Sequence, residues 1–253
     1  YLPAGIGWYR KTFTVSSALQ SKHLFIYFDG VYKNSEVWIN EHYLGKRPNG
    51  FIPFQYEITD YVNKTGNNII AVKCDHTDFA DSRWYTGSGI YRNVYLIAAN
   101  AVHVDVWGLH FTTPQVSTSN AVAKIGVRVM NQSAAEVIAL WKASLLDAKG
   151  KVAGSAQQQL KIKRNNQSEG LLSFMVDHPA LWSTDNPQIY KLKVTITAQG
   201  KKMDEVTEEV GIRSFYFDKD KGFFLNGKNM KLKGVCIHDD AGALGVAVPE
   251  PVW

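Results

Sequence analysis

The residues best suited to chemistry cluster in two places. Near the C-terminal end an apolar run, residues 232–237, leads into His238, Asp239 and Asp240, and a Gly-rich stretch follows. A histidine at a strand end can donate to or accept from a ligand close to neutral pH. It can equally be a structural histidine, held by hydrogen bonds. Neighbours on an extended backbone point to opposite faces, so Asp239 and Asp240 diverge while His238 and Asp240 share a face. Asp239 and Asp240 therefore cannot converge on one bond as an acid/base pair. His238 and Asp240 could both ligate a metal, but two ligands are too few to hold one.

The second place is residues 75–89, a long polar and aromatic segment. Asp75, Asp78 and Asp81 recur at three-residue spacing, as calcium ligands can. The segment lacks the glycine and terminal glutamate of an EF-hand loop, so we read them as solvated loop acids. Trp84 and Tyr85 offer flat apolar faces that suit sugar stacking or core packing. Arg92 is a planar double donor that could tie this region to a carboxylate. Gly87 and Gly89 flank a sharp bend where backbone can approach a neighbour closely.

These residues need strands to position them. Residues 189–197 alternate strictly, with Tyr190, Leu192, Val194 and Ile196 on one face and Lys191, Lys193, Thr195 and Thr197 on the other. That is the pattern of a strand with one buried and one wet face. Similar runs cover 8–15, 24–28, 36–40, 68–74, 94–98, 122–130, 137–146 and 171–176. Turn residues separate them at Asp29-Gly30, Lys149-Gly150, Gln199-Gly200 and Asn226-Gly227, where glycine accepts a positive φ. No amphipathic helix of ten or more residues stands out. Many short strands at regular spacing predict an all-β protein of sandwiches or barrels. Residues 1–99 are rich in aromatics. Residues 100–212 are plainer and fit a seven-strand immunoglobulin-like sandwich.

Composition narrows the function. The 253 residues carry a net charge of +5, and the densest basic stretch, Lys161, Lys163 and Arg164, lies on a strand pattern. No basic patch is interleaved with stacking aromatics, so we expect no nucleic-acid partner. No apolar run reaches the roughly 18 residues of a membrane span. Cys74 and Cys236 lie far apart, without metal-binding spacing, and both sit in apolar strand-like runs that suggest buried free thiols. The opening Tyr1-Leu2-Pro3 is compatible with a removed signal peptide, so we expect a periplasmic or secreted location rather than a cytoplasmic one. Sequons stand at Asn63, Asn131 and Asn166.

Several motifs in order carry a resemblance. Trp8-Tyr9-Arg10-Lys11-Thr12-Phe13 opens the chain, FDGVYKNSEVWIN spans 28–40 and GSGIYRNVYL spans 87–96. Leu181-Trp182-Ser183, Asn186-Pro187 and Tyr190 follow, then Val210-Gly211-Ile212-Arg213 and the terminal KLKGVCIHDDAGALG. Together they resemble the front of family 2 glycoside hydrolases, the β-galactosidase group. The resemblance implies a jelly-roll sugar-binding domain over 1–99, an immunoglobulin-like sandwich over 100–212 and the start of a (β/α)8 catalytic barrel over 213–253.

It also implies a retaining exo-glycosidase acting on terminal β-galactosides. Its two catalytic glutamates would stand on later barrel strands, beyond Trp253, leaving these residues inactive alone. The resemblance places His238 and Asp240 in the first sugar subsite. The family commonly shows His-His-Asp there, against His238-Asp239-Asp240 here. It brings residues 75–89 to the barrel mouth, where the position of an acidic sugar contact falls on Arg83, with Asp81 two residues earlier and Trp84 beside it. Arg92 is expected in a domain-internal ion pair at least as readily as in substrate contact, and Arg213, at the join of the second and third parts, is expected to be structural. No cofactor is expected within these residues; the whole protein could use a divalent cation or sodium and could form a homo-oligomer. Family members acting as β-glucuronidases or β-mannosidases differ in barrel residues. The other reading is a non-catalytic, lectin-like carbohydrate-binding module, since fold does not fix function.

Overall fold

The computed structural model describes residues 5–78, 87–236, 241 and 244–252, and the chain divides into two compact units. One comprises residues 1–99 with 235–253, the other residues 100–234. Strand dominates both, with single 3-10 turns at Ser17–Leu19 and Glu250–Val252.

The first unit holds β1 (Ile6–Thr14), β2 (His23–Phe28), β3 (Val31–Tyr32), β4 (Ser35–Ile39), β5 (His42–Arg47), β6 (Phe54–Glu57), β7 (Asn67–Asp75), β8 (Gly89–Ile90) and β9 (Val94–Ala99). One sheet runs β1-β7-β4-β5 and another β6-β2-β9, with β3 and β8 paired as a short ribbon. Period two decides the inner faces. Leu24, Ile26 and Phe28 of β2, Val37 and Ile39 of β4, and Ile70, Val72 and Cys74 of β7 share one core. Each large apolar side chain so buried contributes about 1.5–3 kcal/mol. This is the jelly-roll sandwich expected from the sequence.

The second unit holds β10 (Val102–Val116), β11 (Asn120–Asn131), β12 (Val137–Leu146), β13 (Val152–Ile162), β14 (Asn166–Asp177), β15 (Tyr190–Ala198) and β16 (Lys201–Val210). They form a three-stranded sheet, β10-β11-β14, and a four-stranded sheet, β13-β12-β15-β16. Alternate residues of β11, β12 and β15 meet in the core. Ile125, Val127 and Val129 are joined there by Trp141 and Leu145, and by Leu192, Val194 and Ile196. A small antiparallel sheet follows, β17 (Phe215–Asp218), β18 (Gly222–Leu225) and β19 (Lys228–Asn229). Leu225 and Lys228 pair across Asn226-Gly227, both at positive φ, as a tight hairpin requires.

Three sequence expectations are corrected. Gly30 is not at positive φ; a Cβ there would lie 2.6 Å from the Tyr91 ring, so close packing requires the glycine. Cys74 is buried, but Cys236 is exposed. The described part of the apolar run, residues 232–236, forms no strand, with Leu232 65% and Val235 86% exposed. The sequon residue Asn131 is fully buried, its amide donating to the carbonyls of Ala135, Ile162 and Lys163.

Candidate functional site

β7 and β8 bracket the segment singled out at 75–89, and both of its feet are pinned. The Asp75 amide donates to Lys33 O (3.1 Å), and Asn34 Nδ2 donates to Asp75 O (3.2 Å). The Asp75 carboxylate accepts from the hydroxyl (2.7 Å) and amide (3.1 Å) of Thr77. Those hydrogen bonds, the hydroxyl first, hold its carboxyl below the usual aspartate range. Asp78 Oδ2 accepts from Asn34 Nδ2 at 3.3 Å and lies 3.9 Å from Lys33 Nζ. Asp75 and Asp78 thus serve local turns and contacts.

The inner face of β7 continues one step beyond the strand. Asn68, Ile70, Val72 and Cys74 are buried, and His76 follows them inward at 3% exposure. Its amide donates to Gly5 O (2.9 Å), and its Nδ1 lies 2.7 Å from Ser88 Oγ. Its ring meets Tyr32 edge-on at 5.0 Å. On the other foot Gly89 adopts φ +102°, and the Tyr9 hydroxyl occupies the space a Cβ would need. Tyr9 Oη also accepts from the Ile90 amide at 3.3 Å. The close approach expected at this bend is therefore present.

Beside these feet lies an open groove of about 630 Å³, lined by Asp29, Tyr91, Arg92 and Asn93 and by residues 246–250. Arg92 reaches Asp29 at 4.0 Å and lies over the Tyr91 ring at 5.6 Å. Tyr91 Oη donates to Gly50 O at 2.9 Å. This wall of amide, guanidinium and carboxylate groups can hydrogen-bond a polyol. No group of three His, Cys, Asp or Glu side chains suited to a metal occurs among the described residues.

The sequence-predicted contacts His238, Asp240, Asp81, Arg83 and Trp84 lie outside the described residues, as do Asp239 and Tyr85. Sequence reasoning missed His76, Ser88 and Tyr9. The period-two run of β7, extended by one residue, would have placed His76 inward.

Arg213 belongs to a different constellation, in the second unit. Its guanidinium lies 4.8 Å from the Trp182 ring centroid. Asn226 Nδ2 donates to Trp182 O, and Asn226 Oδ1 accepts from the Ser214 amide, both at 3.0 Å. A Cβ on Gly211 would lie 3.0 Å from Trp182. Trp182, Gly211, Arg213 and Asn226 thus lock the β16–β17 join to the hairpin, a structural role.

Comparison with known proteins agrees with this architecture. Residues 2–100 match the sugar binding domain of glycosyl hydrolases family 2, and residues 102–213 match a second domain of glycosyl hydrolases family 2. A β-galactosidase of Bacteroides ovatus is 41% identical over 98% of this chain and 29% of its own length. A β-glucuronidase of Bacteroides fragilis is 30% identical over 96% of this chain and 36% of its own length. The crystal structure of a β-glycosidase from Bacteroides vulgatus superposes with a TM-score of 0.88 at 42% identity, over 99% of this chain and 31% of that one. The chain thus spans about a third of the length of these relatives. With both family domains in sequence and the fold shared with solved members, the chain belongs to glycosyl hydrolase family 2.

Proposed function

We propose that this chain is the front part of a retaining exo-glycosidase that removes terminal β-galactosides. The observation that supports this most is the 41% identity, along 98% of the chain, to a β-galactosidase. Retaining hydrolysis needs two carboxylates roughly 5–5.5 Å apart, one as nucleophile and one as acid/base. We assign that pair to the remainder of the protein, so residues 1–253 bind and shape without catalysing. His238 and Asp240 hydrogen-bond the sugar in the first subsite. Residues 75–89 close one side of the pocket through Asp81, Arg83 and Trp84, their feet held by His76, Ser88 and Tyr9. The second reading, a β-glucuronidase, is favoured by the 30% identical relative of that name.

The test uses the whole protein and the 253-residue chain with aryl β-galactoside and aryl β-glucuronide. The whole protein should cleave the galactoside with retention, and the chain alone should cleave neither. His238→Ala in the whole protein should lower kcat/KM on the order of 100-fold, the usual effect of losing one donor in a dry site. Preference for the glucuronide would establish the second reading. Turnover by the pure chain would refute the assignment of the catalytic pair.

A further inference from the structure

The outer face of the β1-β7-β4-β5 sheet carries a row of aromatic rings where a wet sheet face ordinarily carries polar side chains. Trp8 of β1 and Trp38 of β4 have ring centroids 5.3 Å apart, tilted by 32°. Trp38 and Tyr43 of β5 are again 5.3 Å apart. The register explains the row. Trp8 faces Lys73, Trp38 faces Ala71 and Tyr43, and Ala71 is the small residue that leaves room between the indoles. Trp8 is 61% and Tyr43 53% exposed, a large apolar area left in water.

A shallow groove of about 560 Å³ runs beside the two indoles, with Ile69 and Ala71 in its floor. Arg10, Glu41 and Asn67 line it, and none of the three makes a side-chain hydrogen bond or ion pair among the described residues. Asn40 shapes its end. Its Nδ2 donates to Tyr61 O (2.7 Å) and Asn68 Oδ1 (2.8 Å), and its Oδ1 accepts from the Ile69 amide (2.9 Å).

We propose that this face is a binding platform for a neutral glycan chain. The pyranose rings stack on Trp8, Trp38 and Tyr43, and Arg10, Glu41 and Asn67 hydrogen-bond their hydroxyls. Three features select this ligand. The row is one ring wide and hemmed by Arg10, Glu36 and Lys73, whereas a stable protein interface buries about 800 Å² per partner around an apolar core. The charges balance, since Glu36 pairs with Lys73 at 3.2 Å and Arg10 is matched by Glu41, so no charged polymer is favoured. Rings offering apolar faces beside unpaired donors and acceptors suit a molecule with apolar C–H faces and a hydroxyl rim. The platform lies within the first unit and does not depend on which terminal sugar is hydrolysed.

The test is titration of the 253-residue chain with cellohexaose and with a β-1,4-galactan hexasaccharide, followed by calorimetry and tryptophan fluorescence. At least one should bind saturably and perturb the fluorescence. Trp8→Ala should weaken binding roughly tenfold or more, as truncation of an aromatic anchor does, with an unchanged melting temperature. Arg10→Ala should weaken it too, and Tyr216→Ala, an exposed ring of the second unit, should leave it unchanged. Absence of binding by both glycans at millimolar concentration would overturn the proposal, as would equal affinity in Trp8→Ala. Self-association of the chain that Trp8→Ala abolishes would show the face to be a protein interface instead.

Discussion

His76 Nδ1 and Ser88 Oγ lie 2.7 Å apart and join the two feet of the 75–89 segment by one side-chain hydrogen bond. His76 is buried, so the bond cannot be replaced by bulk water without opening the fold. Ser88→Ala should therefore cost about 1–3 kcal/mol, the range for stranding a buried polar group. Ser88→Thr should restore most of it. Urea unfolding of the three proteins checks this, and exchange of the His76 amide, which donates to Gly5 O, should quicken in Ser88→Ala alone.

Val194 and Lys193 are neighbours on β15 with opposite fates. Val194 is fully buried between the two sheets, and Lys193 reaches outward to Glu205 at 3.0 Å. Val194→Asp places a carboxylate in an apolar core and should abolish the cooperative unfolding transition of the second unit. Lys193→Asp loses an exposed ion pair and should lower stability slightly, by an amount that shrinks with added salt. Calorimetry of both variants distinguishes the two outcomes, and equal effects would contradict the register.

Trp141 fills the centre of the second core, and its buried indole N–H meets no acceptor among the described residues. A Cβ on Gly170 would lie 2.7 Å from that nitrogen. Gly170→Ala should cost about 1–3 kcal/mol by overpacking a ring with no room to move. Trp141→Phe removes both the crowding edge and the orphan donor. The double variant should accordingly be more stable than the sum of the single effects, which a double-mutant cycle measures.

The two thiols should behave differently. Cys236 is exposed and should alkylate with iodoacetamide in the native protein at mildly alkaline pH. Burial pushes the Cys74 thiol up from 9.0 to about 11, so it should react only after unfolding. The same shift gives the first unit a pH dependence. Between about 9 and 11 the unfolded chain has released a proton that the folded chain retains. Stability from this group is complete below 9 and falls as pH rises to about 11. Cys74→Ala should flatten that decline in urea titrations across the window.

Much of the fold was legible because period two is strong wherever a strand has one dry face. Residues 190–196 and 137–146 carry it openly, and Asn226-Gly227 marks its own hairpin. β16 was not legible: Lys201–Val210 carries Lys, Asp and Glu on a strand exposed along most of its length, so burial left little pattern. Residues 232–236 show the opposite error, since apolar composition does not supply the partner edge a strand needs. Of the candidate site, the bend at Gly89 could be read from glycine spacing. The roles of Tyr9 and His76 could not, because Tyr9 comes from a strand far away in sequence and Ser88 lies across the loop. The aromatic row was likewise hidden, since Trp8, Trp38 and Tyr43 meet only after β1, β4, β5 and β7 are aligned.

That alignment bears on how the chain folds during synthesis. β1 pairs with β7, Ile6 opposite Asp75, and β2 pairs with β9, His23 opposite Ala99. β1 must therefore wait for a partner that emerges much later, and β2, which meets β6 sooner, waits for its second partner. Loop-closure entropy is lost before any pairing compensates it. At about 5–20 residues per second the interval lasts seconds, with Ile6 and Trp8 open to other nascent chains. In the second unit pairing can start sooner, because β11 follows β10 and β13 follows β12 as adjacent hairpins, although β14 and β15 join their partners later. The first unit is thus held back by distant pairing, and slow translation just before Ala99 would lengthen its exposure to chaperones and proteases.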